Sequence, residues 1–523
     1  MNHFMKRCLL LVLTFALVFG ICACNQSEAD PTEPTVDVAA LSEAARNTVA
    51  ITIGEHNVNA VELNYYYVET INSFCNNYYY YIYYYGMIDG NKPLNTQKCT
   101  LDESKTWSEY FLGIATDNMK STYLLYDLAV ENGHTLTDAE KKSLESLKES
   151  IAYYATYYKF ATVDAYLMDI FGYGADLDSY VKYYEKLMLA DSYYSVYADS
   201  LDYTEEQIRD FDNKSKTEFN SYTYAFYTLS TSKFLSGGTE GSDGKVTYTE
   251  EQQAAAVEAA KEAANALLGS TCADVNAFKD LILGMDINAN LDSVSVTEKN
   301  DVFASNMDEL YKEWITSEER QVGDVTVVAK TSTTSDNKEV VDGYYILWYG
   351  GLNDNIFALK NVRHLLVMFK NSAGKTYSDG ITSFTDAEKA ATKAEMDKIV
   401  ALWEAGEMTE DAFAALANKH SQDGDGTSGG LYTEIYPGQM VTSFENWCYD
   451  AARQVGDYEV IETEYGYHLM YFVGDADITY RDYMVTHKMR NEDLTKWHDA
   501  IMASAELTQV CLDYCELDML LFG

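Results

Sequence analysis

Two histidines lie in apolar segments that are typical of buried β-strands, where a titratable ring is unusual. His364 stands near the start of VRHLLVMFK (residues 362–370), and His468 stands in GYHLMYFVG (466–474). An imidazole can donate, accept or carry a proton near neutral pH, so a pair of these rings could hold a polar group and fix its orientation. Each histidine alone could equally be a core residue with satisfied hydrogen bonds, and both interpretations remain open at this point.

An internal repeat places both histidines in one structural unit. WITSEERQVGDVTVV (314–328) and WCYDAARQVGDYEVI (447–461) share the pattern W-x5-R-Q-V-G-D-x-x-V. A glycine-led apolar strand follows each copy, and helices and an earlier strand precede each. We therefore predict two copies of one α+β unit, at residues 205–352 and 357–475, each with a small antiparallel sheet flanked by helices.

The two copies differ where chemistry would differ. His468 corresponds to Tyr345 in the first copy, and YTYAFYTLS (222–230), which corresponds to the strand of His364, has no histidine. The glycine-rich loop SQDGDGTSGG (421–430) has no clear counterpart either. A purely structural role for both histidines would predict a weaker difference, so the asymmetry favours a functional site in the second copy.

The second copy resembles the parvulin family of peptidyl-prolyl cis-trans isomerases over its whole length. The motifs that carry the resemblance are, in order, VRHLLV, a long helix, FAALANKHSQD, SGG, PGQMVTSFE and TEYGYHLMYF. The complete arrangement resembles the PrsA/SurA-like extracytoplasmic foldase lipoproteins. It implies a helical chaperone domain at 48–204, a degenerate parvulin-like domain at 205–352, an isomerase domain at 357–475, and a C-terminal helical segment at 476–523 that packs on the chaperone domain.

The resemblance also implies site residues. The family's paired histidines, acidic position and threonine fall on a predicted catalytic set: His364, His468, Asp423 and Thr463. The positions that bind the proline fall on a predicted substrate-binding set: Met440, Phe444 and Tyr432. One motif departs from the family, because GGLYT stands where Gly-Gly-Asp-Leu-Gly is usual. Tyr432 therefore replaces an apolar pocket residue, which could change the shape of the pocket or the choice of substrate.

A prolyl isomerase needs an apolar slot for the pyrrolidine ring and a polar wall for the twisted amide. The barrier of about 18–20 kcal/mol comes from amide resonance, so the catalyst must bind the twisted form better than either planar form. Two histidines on neighbouring strands could share a hydrogen bond, and Asp423 could order the pair or polarise the amide. This chemistry needs no nucleophile, metal or cofactor, and we predict none. DGDGTSGG lacks the EF-hand spacing that would favour calcium.

The N-terminus predicts export and anchoring. Lys6 and Arg7 precede the apolar run CLLLVLTFALVFG, which is too short for a comfortable membrane span. ICAC, which ends at Cys24, resembles a bacterial lipobox; this implies a signal peptide at 1–24, a lipid on Cys24 and a flexible tether at 25–47. Ordinary secretion with an unmodified Cys24 is the alternative. We expect a lipid-anchored protein on the extracytoplasmic face of the cell membrane.

The composition limits the kinds of partner that the chain could bind. The 523 residues carry a formal net charge of −44, which disfavours binding of nucleic acid and is compatible with binding of cationic clients. Among 45 tyrosines, the run NNYYYYIYYYG (76–86) predicts either a Tyr-rich core with surface hydroxyls or an adhesive surface for unfolded chains. Six cysteines downstream of Cys24 fit no zinc motif: Cys75, Cys99, Cys272, Cys448, Cys511 and Cys515. They could be buried free thiols or form disulfides, and both alternatives remain open. Cys511 and Cys515 are predicted to share one helix face.

Two functions are compatible with these features. The first is a membrane-anchored foldase that isomerises Xaa-Pro bonds in secreted proteins and also binds unfolded clients; the His364, His468 and Asp423 set favours it. The second is a non-catalytic holdase that uses the parvulin-like domains as scaffold or peptide-docking modules. The altered GGLYT and the first copy without histidines favour the second.

Overall fold

The computed structural model of the chain describes residues 37–242, 244–334, 337–424 and 428–521. The predicted signal peptide with Cys24 lies outside the described residues, as does the first part of the predicted tether. The chain divides into two compact units. One comprises Met1–Asp202 with Arg490–Gly523, and the other comprises Tyr203–Met489.

The first unit begins with a helix where the sequence predicts a flexible tether. This helix, α1 (Val38–Asn47), corrects the prediction for the end of the segment 25–47. Asp37 caps the helix by accepting a hydrogen bond from the Ala40 amide, and Ser42 and Ala45 are buried. The capped, alanine-rich sequence therefore gains helical hydrogen bonds and buried surface that a tether would lack.

A short hairpin and a set of long helices follow. The elements are β1 (Val49–Ile53), β2 (His56–Asn59), α2 (Ala60–Tyr85), α3 (Trp107–Glu131), α4 (Asp138–Tyr157), α5 (Val163–Phe171) and α6 (Leu177–Ser200). Capping boxes at Thr106 and Thr137 fix the starts of α3 and α4. The core between the helices is rich in tyrosine: Tyr65 packs edge-on against Phe171 and Tyr180, and each of these rings is almost wholly buried.

The tyrosine run at the end of α2 is exposed. Its seven tyrosines are between 40% and 70% exposed: Tyr78, Tyr79, Tyr80, Tyr81, Tyr83, Tyr84 and Tyr85. Ile82, which interrupts the run, is buried. The interpretation of this run as a Tyr-rich core is therefore wrong. An unbroken tyrosine sequence carries no polar–apolar period that could indicate which face turns inward.

The second unit contains two α+β domains in sequence. The first consists of α7 (Glu205–Lys214), β3 (Ser221–Ser230), β4 (Thr239–Glu240), β5 (Val246–Thr247), α8 (Glu250–Asn265), α9 (Val275–Leu283), β6 (Thr297–Phe303), α10 (Glu309–Thr316), β7 (Val325–Thr333) and β8 (Glu339–Asn353). The second consists of β9 (Ala358–Met368), α11 (Asp386–Glu404), α12 (Glu410–His420), β10 (Leu431–Ile435), α13 (Thr442–Cys448), β11 (Tyr458–Glu462) and β12 (Gly466–Thr479).

Both domains have the same sheet. The antiparallel strand order is β6-β3-β8-β7 in the first domain and β10-β9-β12-β11 in the second, so each strand has a counterpart at the same place. In the second domain α11 and α12 cover one face of the sheet, and α13 lies over the other. The predicted α+β multidomain fold class is confirmed.

The C-terminal segment begins with α14 (Tyr480–Ala503) and continues with β13 (Leu507–Gln509). β13 pairs with β1 and so extends the small sheet of the first unit. Cys511 and Cys515 follow in turns and loops, so their predicted helix is wrong; the chain leaves the helix at Ala503 to make the strand pairing instead. These two cysteines and the other four described ones are free.

None of the described helices is long and apolar enough to cross a membrane.

Candidate active site

The two histidines come from the central strands β9 and β12. In this antiparallel pair His364 lies opposite Met470 and His468 lies opposite Leu366, so the histidines are diagonal neighbours on one face. The intervening residues, such as Leu365 and Leu469, point to the other face and join the core under α11 and α12. Strand alternation therefore turns both imidazoles toward α13.

The structure brings the histidines into direct contact. His364 Nδ1 and His468 Nδ1 are 3.1 Å apart, and the side chains of both residues are buried. His364 Nε2 lies 3.0 Å from the Asp423 carboxylate, and His468 Nε2 lies 2.9 Å from the Thr463 hydroxyl. The four residues of the predicted catalytic set thus form one continuous hydrogen-bonded row.

The row has a consistent direction of donation. If His364 Nε2–H donates to the Asp423 carboxylate and Nδ1 of the same ring carries no hydrogen, that Nδ1 accepts from His468 Nδ1–H. His468 Nε2 is then bare and accepts from the Thr463 hydroxyl, whose oxygen in turn accepts from the Tyr465 amide at 3.2 Å. Every donor then meets an acceptor, so one direction of donation satisfies the whole row from Thr463 to Asp423.

The charges in the row are separated. Burial, together with the neighbouring His364, lowers the pKa of His468 to about 3, while Asp423 opposes the shift. The hydrogen bond from His364 lowers the pKa of Asp423, against the effect of burial. Near neutral pH the site therefore holds a carboxylate at its rim and an uncharged His468 in its interior.

Two of the predicted binding residues, Phe444 and Tyr432, lie beside the histidines. Phe444 from α13 presents its ring edge-on, with ring centroids 5.3 Å from His364 and 5.8 Å from His468. Met440 is partly buried in the apolar cluster to which Phe444 belongs. Tyr432 from β10 lies 4.8 Å from His364 between ring centroids and is 36% exposed. Two aromatic side chains, Phe444 and Tyr432, thus border the polar row.

Tyr432 has a contact that the sequence did not predict. Its hydroxyl donates a hydrogen bond of 3.0 Å to the Asp423 carboxylate, on the same oxygen that faces His364. Burial and the carboxylate raise the pKa of Tyr432 to about 12, so it remains a donor. The departure from the family motif therefore adds a second donor to Asp423 at the mouth of the site.

Backbone and side-chain contacts hold the loop that carries Asp423 against β9. The Gln422 amide nitrogen donates to the Leu366 carbonyl at 2.8 Å, and the Gln422 side chain accepts from the Met368 amide at 3.0 Å. Arg363 Nη1 donates to the carbonyls of Ser428 and Gly429. The roles of Arg363 and Gln422 in holding this loop were not predicted from the sequence. A signal was available for Arg363: because it is the neighbour of His364 in a strand, its side chain must project from the opposite face of the sheet.

Gly430 allows the loop to approach His364, which gives a first prediction. Its φ is +66°, its carbonyl accepts from the His364 amide, and a Cβ there would lie 2.0 Å from the His364 carbonyl oxygen. Gly430→Ala is expected to displace the loop and to lower kcat/KM for a proline peptide by about tenfold, with a stability loss of about 1–3 kcal/mol.

Gly374→Ala is the matched control, because Gly374 has φ +76° and open space around its Cβ. Both variants are compared in a peptide isomerisation assay and by thermal unfolding. Equal effects of the two variants would mean that the left-handed backbone matters and the contact with His364 does not.

The buried His468 gives a second prediction, on pH. Its pKa is about 3 in the folded chain, below the ordinary value of 6.5, so the unfolded chain takes up the proton first as pH falls. The stabilisation is complete above about pH 6.5 and is lost progressively toward pH 3, by about 2–3 kcal/mol at pH 4.5. The lowered pKa of Asp423 adds a loss in the same direction, below its ordinary value of 3.8.

The measurement compares the chain with His468→Asn, which does not titrate there. Hydrogen exchange of β12 in urea reports the local stability at pH 7 and pH 4.5. The stability difference between the two proteins should shift in favour of His468→Asn at pH 4.5, and a difference independent of pH would contradict the assignment of a neutral, buried His468.

The first domain has aromatic residues at the corresponding positions. By sheet register Phe226 takes the place of His364 and Tyr345 the place of His468, and their ring centroids are also 5.3 Å apart. Tyr311 from α10 corresponds to Phe444 and contacts both rings. The first domain thus keeps the packing of the site without its hydrogen-bonded row.

Comparison with known families identifies the second domain. Residues 364–474 match the family model "Rotamase: PPIC-type PPIASE domain", and the match begins at His364. The second α+β domain is therefore a parvulin-type peptidyl-prolyl cis-trans isomerase domain, which confirms the predicted family and enzyme class for this part of the chain. No curated protein matches the chain.

The solved structures that are similar to the chain include two PrsA proteins. One is the peptidylprolyl isomerase PrsA from Bacillus cereus, with 20% identity over 32% of this chain and 56% of that chain and a TM-score of 0.18. The other is PrsA from Bacillus anthracis, with 18% identity over 29% of this chain and 59% of that chain and a TM-score of 0.17. These likenesses are weak, so the family match alone carries the assignment of the domain.

Proposed function

We propose that the chain is a membrane-anchored extracytoplasmic foldase that catalyses cis/trans isomerisation of Xaa-Pro bonds in secreted proteins and binds unfolded clients. The observation that carries the catalytic part is the hydrogen-bonded row from Thr463 through His468 and His364 to Asp423. This row lies beside Phe444 in a domain that matches the PPIC-type family. The proposal assigns catalysis to the second α+β domain.

Catalysis in this site requires no bond to be made or broken. The planar amide owes its barrier to resonance that places negative charge on the carbonyl oxygen, and twisting removes that charge separation. A buried site with a neutral His468 and the apolar Phe444 disfavours the charge-separated planar amide, and so favours the twisted state. The carboxylate of Asp423 orders the imidazoles and opposes negative charge on the carbonyl oxygen.

A refolding assay tests the catalytic proposal in its full setting. The substrate is an unfolded protein whose slow refolding phase is limited by a single proline, and this phase normally takes tens of seconds or longer. The full chain should accelerate the slow phase in proportion to its concentration, and the His364→Ala/His468→Ala variant should not. Equal acceleration by both proteins would overturn the proposal.

The anchoring proposal rests on the lipobox-like ICAC sequence and is tested separately. Cells that express the chain are fed a clickable palmitate analogue. We expect label on the chain with Cys24 and none on Cys24→Ser, which should be released from the membrane fraction. Label on both proteins, or on neither, would contradict anchoring at Cys24.

The second candidate, a non-catalytic holdase, is favoured by two observations. Seven tyrosines at the end of α2 are exposed, and the first α+β domain has Phe226 and Tyr345 in place of histidines. Suppression of client aggregation by His364→Ala/His468→Ala, at the level of the unchanged chain, would support binding that is independent of catalysis. Loss of suppression in that variant would contradict the holdase function.

A further inference from the structure

The segment 78–85, here called the tyrosine segment, has an unusual surface. Its helix departs from regular geometry at Tyr78 (φ −114°, ψ 16°) and ends at Gly86 in the left-handed conformation. Ile82 is buried in the core of the helical unit and anchors the segment. The other seven residues are tyrosines whose exposure reaches 70% at Tyr85.

The exposed area lies at or above the upper end of what a monomer usually presents. The seven tyrosines together leave the equivalent of roughly four whole side chains in solvent, on the order of 600–1,000 Å² with their hydroxyl groups included. The largest apolar patch on a typical monomer is about 300–600 Å², and patches above that size usually mark interaction sites. The tyrosine segment is therefore a candidate docking surface.

The charge around the segment indicates what it would bind. Residues 76–88 (NNYYYYIYYYGMI) contain no charged side chain, while the chain as a whole has a net charge of −44. Tyrosine faces carry negative potential and attract ammonium and guanidinium groups. Elsewhere in this unit Lys186 lies 3.7 Å from the ring centroid of Tyr123, whereas no described cation–π contact involves the tyrosine segment.

We propose that the tyrosine segment binds Lys- and Arg-rich stretches of unfolded polypeptide. The acidic chain draws cationic stretches in over a distance and repels acidic ones, and the exposed rings then hold the cations and their aliphatic stems. Seven neighbouring rings provide this contact without a fixed pocket, so many sequences would fit. The inference does not rest on the proposed isomerase activity, because binding of this kind needs no proline.

The test uses fluorescent, proline-free peptides of 20 residues on a Gly/Ser background. One peptide carries six arginines, one six glutamates and one six leucines, and their affinities for the full chain are measured by anisotropy. The substitutions Tyr79→Gln, Tyr80→Gln, Tyr83→Gln and Tyr84→Gln are combined in one variant. We expect this variant to bind the arginine peptide at least about tenfold more weakly than the unchanged chain, with the same isomerase activity.

Tyr153→Gln/Tyr157→Gln is the matched control. Tyr153 and Tyr157 are 62% and 63% exposed and stack on each other on α4, so the control removes similar rings from another place. The control should bind the arginine peptide within about twofold of the unchanged chain, and the glutamate and leucine peptides should bind at least about tenfold more weakly than the arginine peptide.

Three outcomes would overturn the proposal. Equal losses in the control would reduce the binding to general attraction by an acidic chain. Equal affinity for the leucine peptide would make the surface merely apolar. The third outcome is that the chain associates with itself and that the variant with four Tyr→Gln substitutions abolishes this association but still binds the arginine peptide. The tyrosine segment would then be the binding surface for a second copy of this chain.

Discussion

His468→Ala is expected to lower kcat/KM for a proline peptide by about one to two orders of magnitude. The substitution removes one of the two imidazoles in the middle of the row, so His364 Nδ1 loses its donor and the Thr463 hydroxyl loses its acceptor. A buried polar group left unsatisfied costs about 1–3 kcal/mol, and 1.4 kcal/mol of lost transition-state stabilisation is a tenfold loss of rate. A peptide assay coupled to an isomer-specific protease measures kcat/KM.

Two variants separate the role of the row from a loss of folding. His468→Asn keeps a polar atom near the position of Nδ1 but cannot reach Thr463, so its kcat/KM should lie between those of the unchanged chain and His468→Ala. Tyr345→Ala makes the corresponding change in the first domain and should leave kcat/KM unchanged. An unchanged kcat/KM in His468→Ala, with the variant folded, would contradict a catalytic role for His468.

Arg481→Ala is expected to lower the free energy of unfolding of the second unit by about 3–5 kcal/mol. The Arg481 side chain is buried near the start of α14 and donates from Nε and Nη2 to the Asp212 carboxylate. It also donates to the Asn220 side chain at 2.7 Å and to the carbonyls of Lys216 and Asp354. One guanidinium thus joins α7, the approach to β3 and the linker between the two α+β domains.

The Arg481 prediction is measured by hydrogen exchange in urea, with peptides from β3 and β9 as reporters of the two domains. Arg481→Lys should recover only part of the loss, because an ammonium group cannot reproduce the planar fork of donors. Lys393→Ala, which breaks an exposed ion pair with Asp397 on α11, should cost no more than about 1 kcal/mol. A loss in Arg481→Ala no larger than in Lys393→Ala would show that the buried network is not a main source of stability.

The repeat explains why much of the second unit could be predicted from the sequence. W-x5-R-Q-V-G-D occurs at the same place in both copies, and both sheets have the same strand order around it. The same comparison of the copies also showed that His364 and His468 occur in the second copy only. These features depend on local spacing, which a single sequence contains.

The errors arose where contacts distant in sequence decide the structure. β13 pairs with β1 across more than four hundred residues, and nothing in the sequence near Cys511 announces that pairing. The Tyr432 hydroxyl bonds to Asp423 only because the loop folds back on β9, so the departure from the family motif suggested a changed pocket without suggesting the bond. The exposed tyrosine run could not be placed because identical residues give no period.

We propose that the second α+β domain isomerises Xaa-Pro bonds at His364 and His468. NMR exchange spectroscopy on a short proline peptide measures the cis/trans exchange rate directly, with the full chain added in catalytic amount. We expect exchange well above the uncatalysed rate with the unchanged chain and with Tyr345→Ala, and a return to the uncatalysed rate with His364→Ala/His468→Ala. Exchange at the uncatalysed rate with the unchanged chain, or acceleration that survives loss of both histidines, would contradict it.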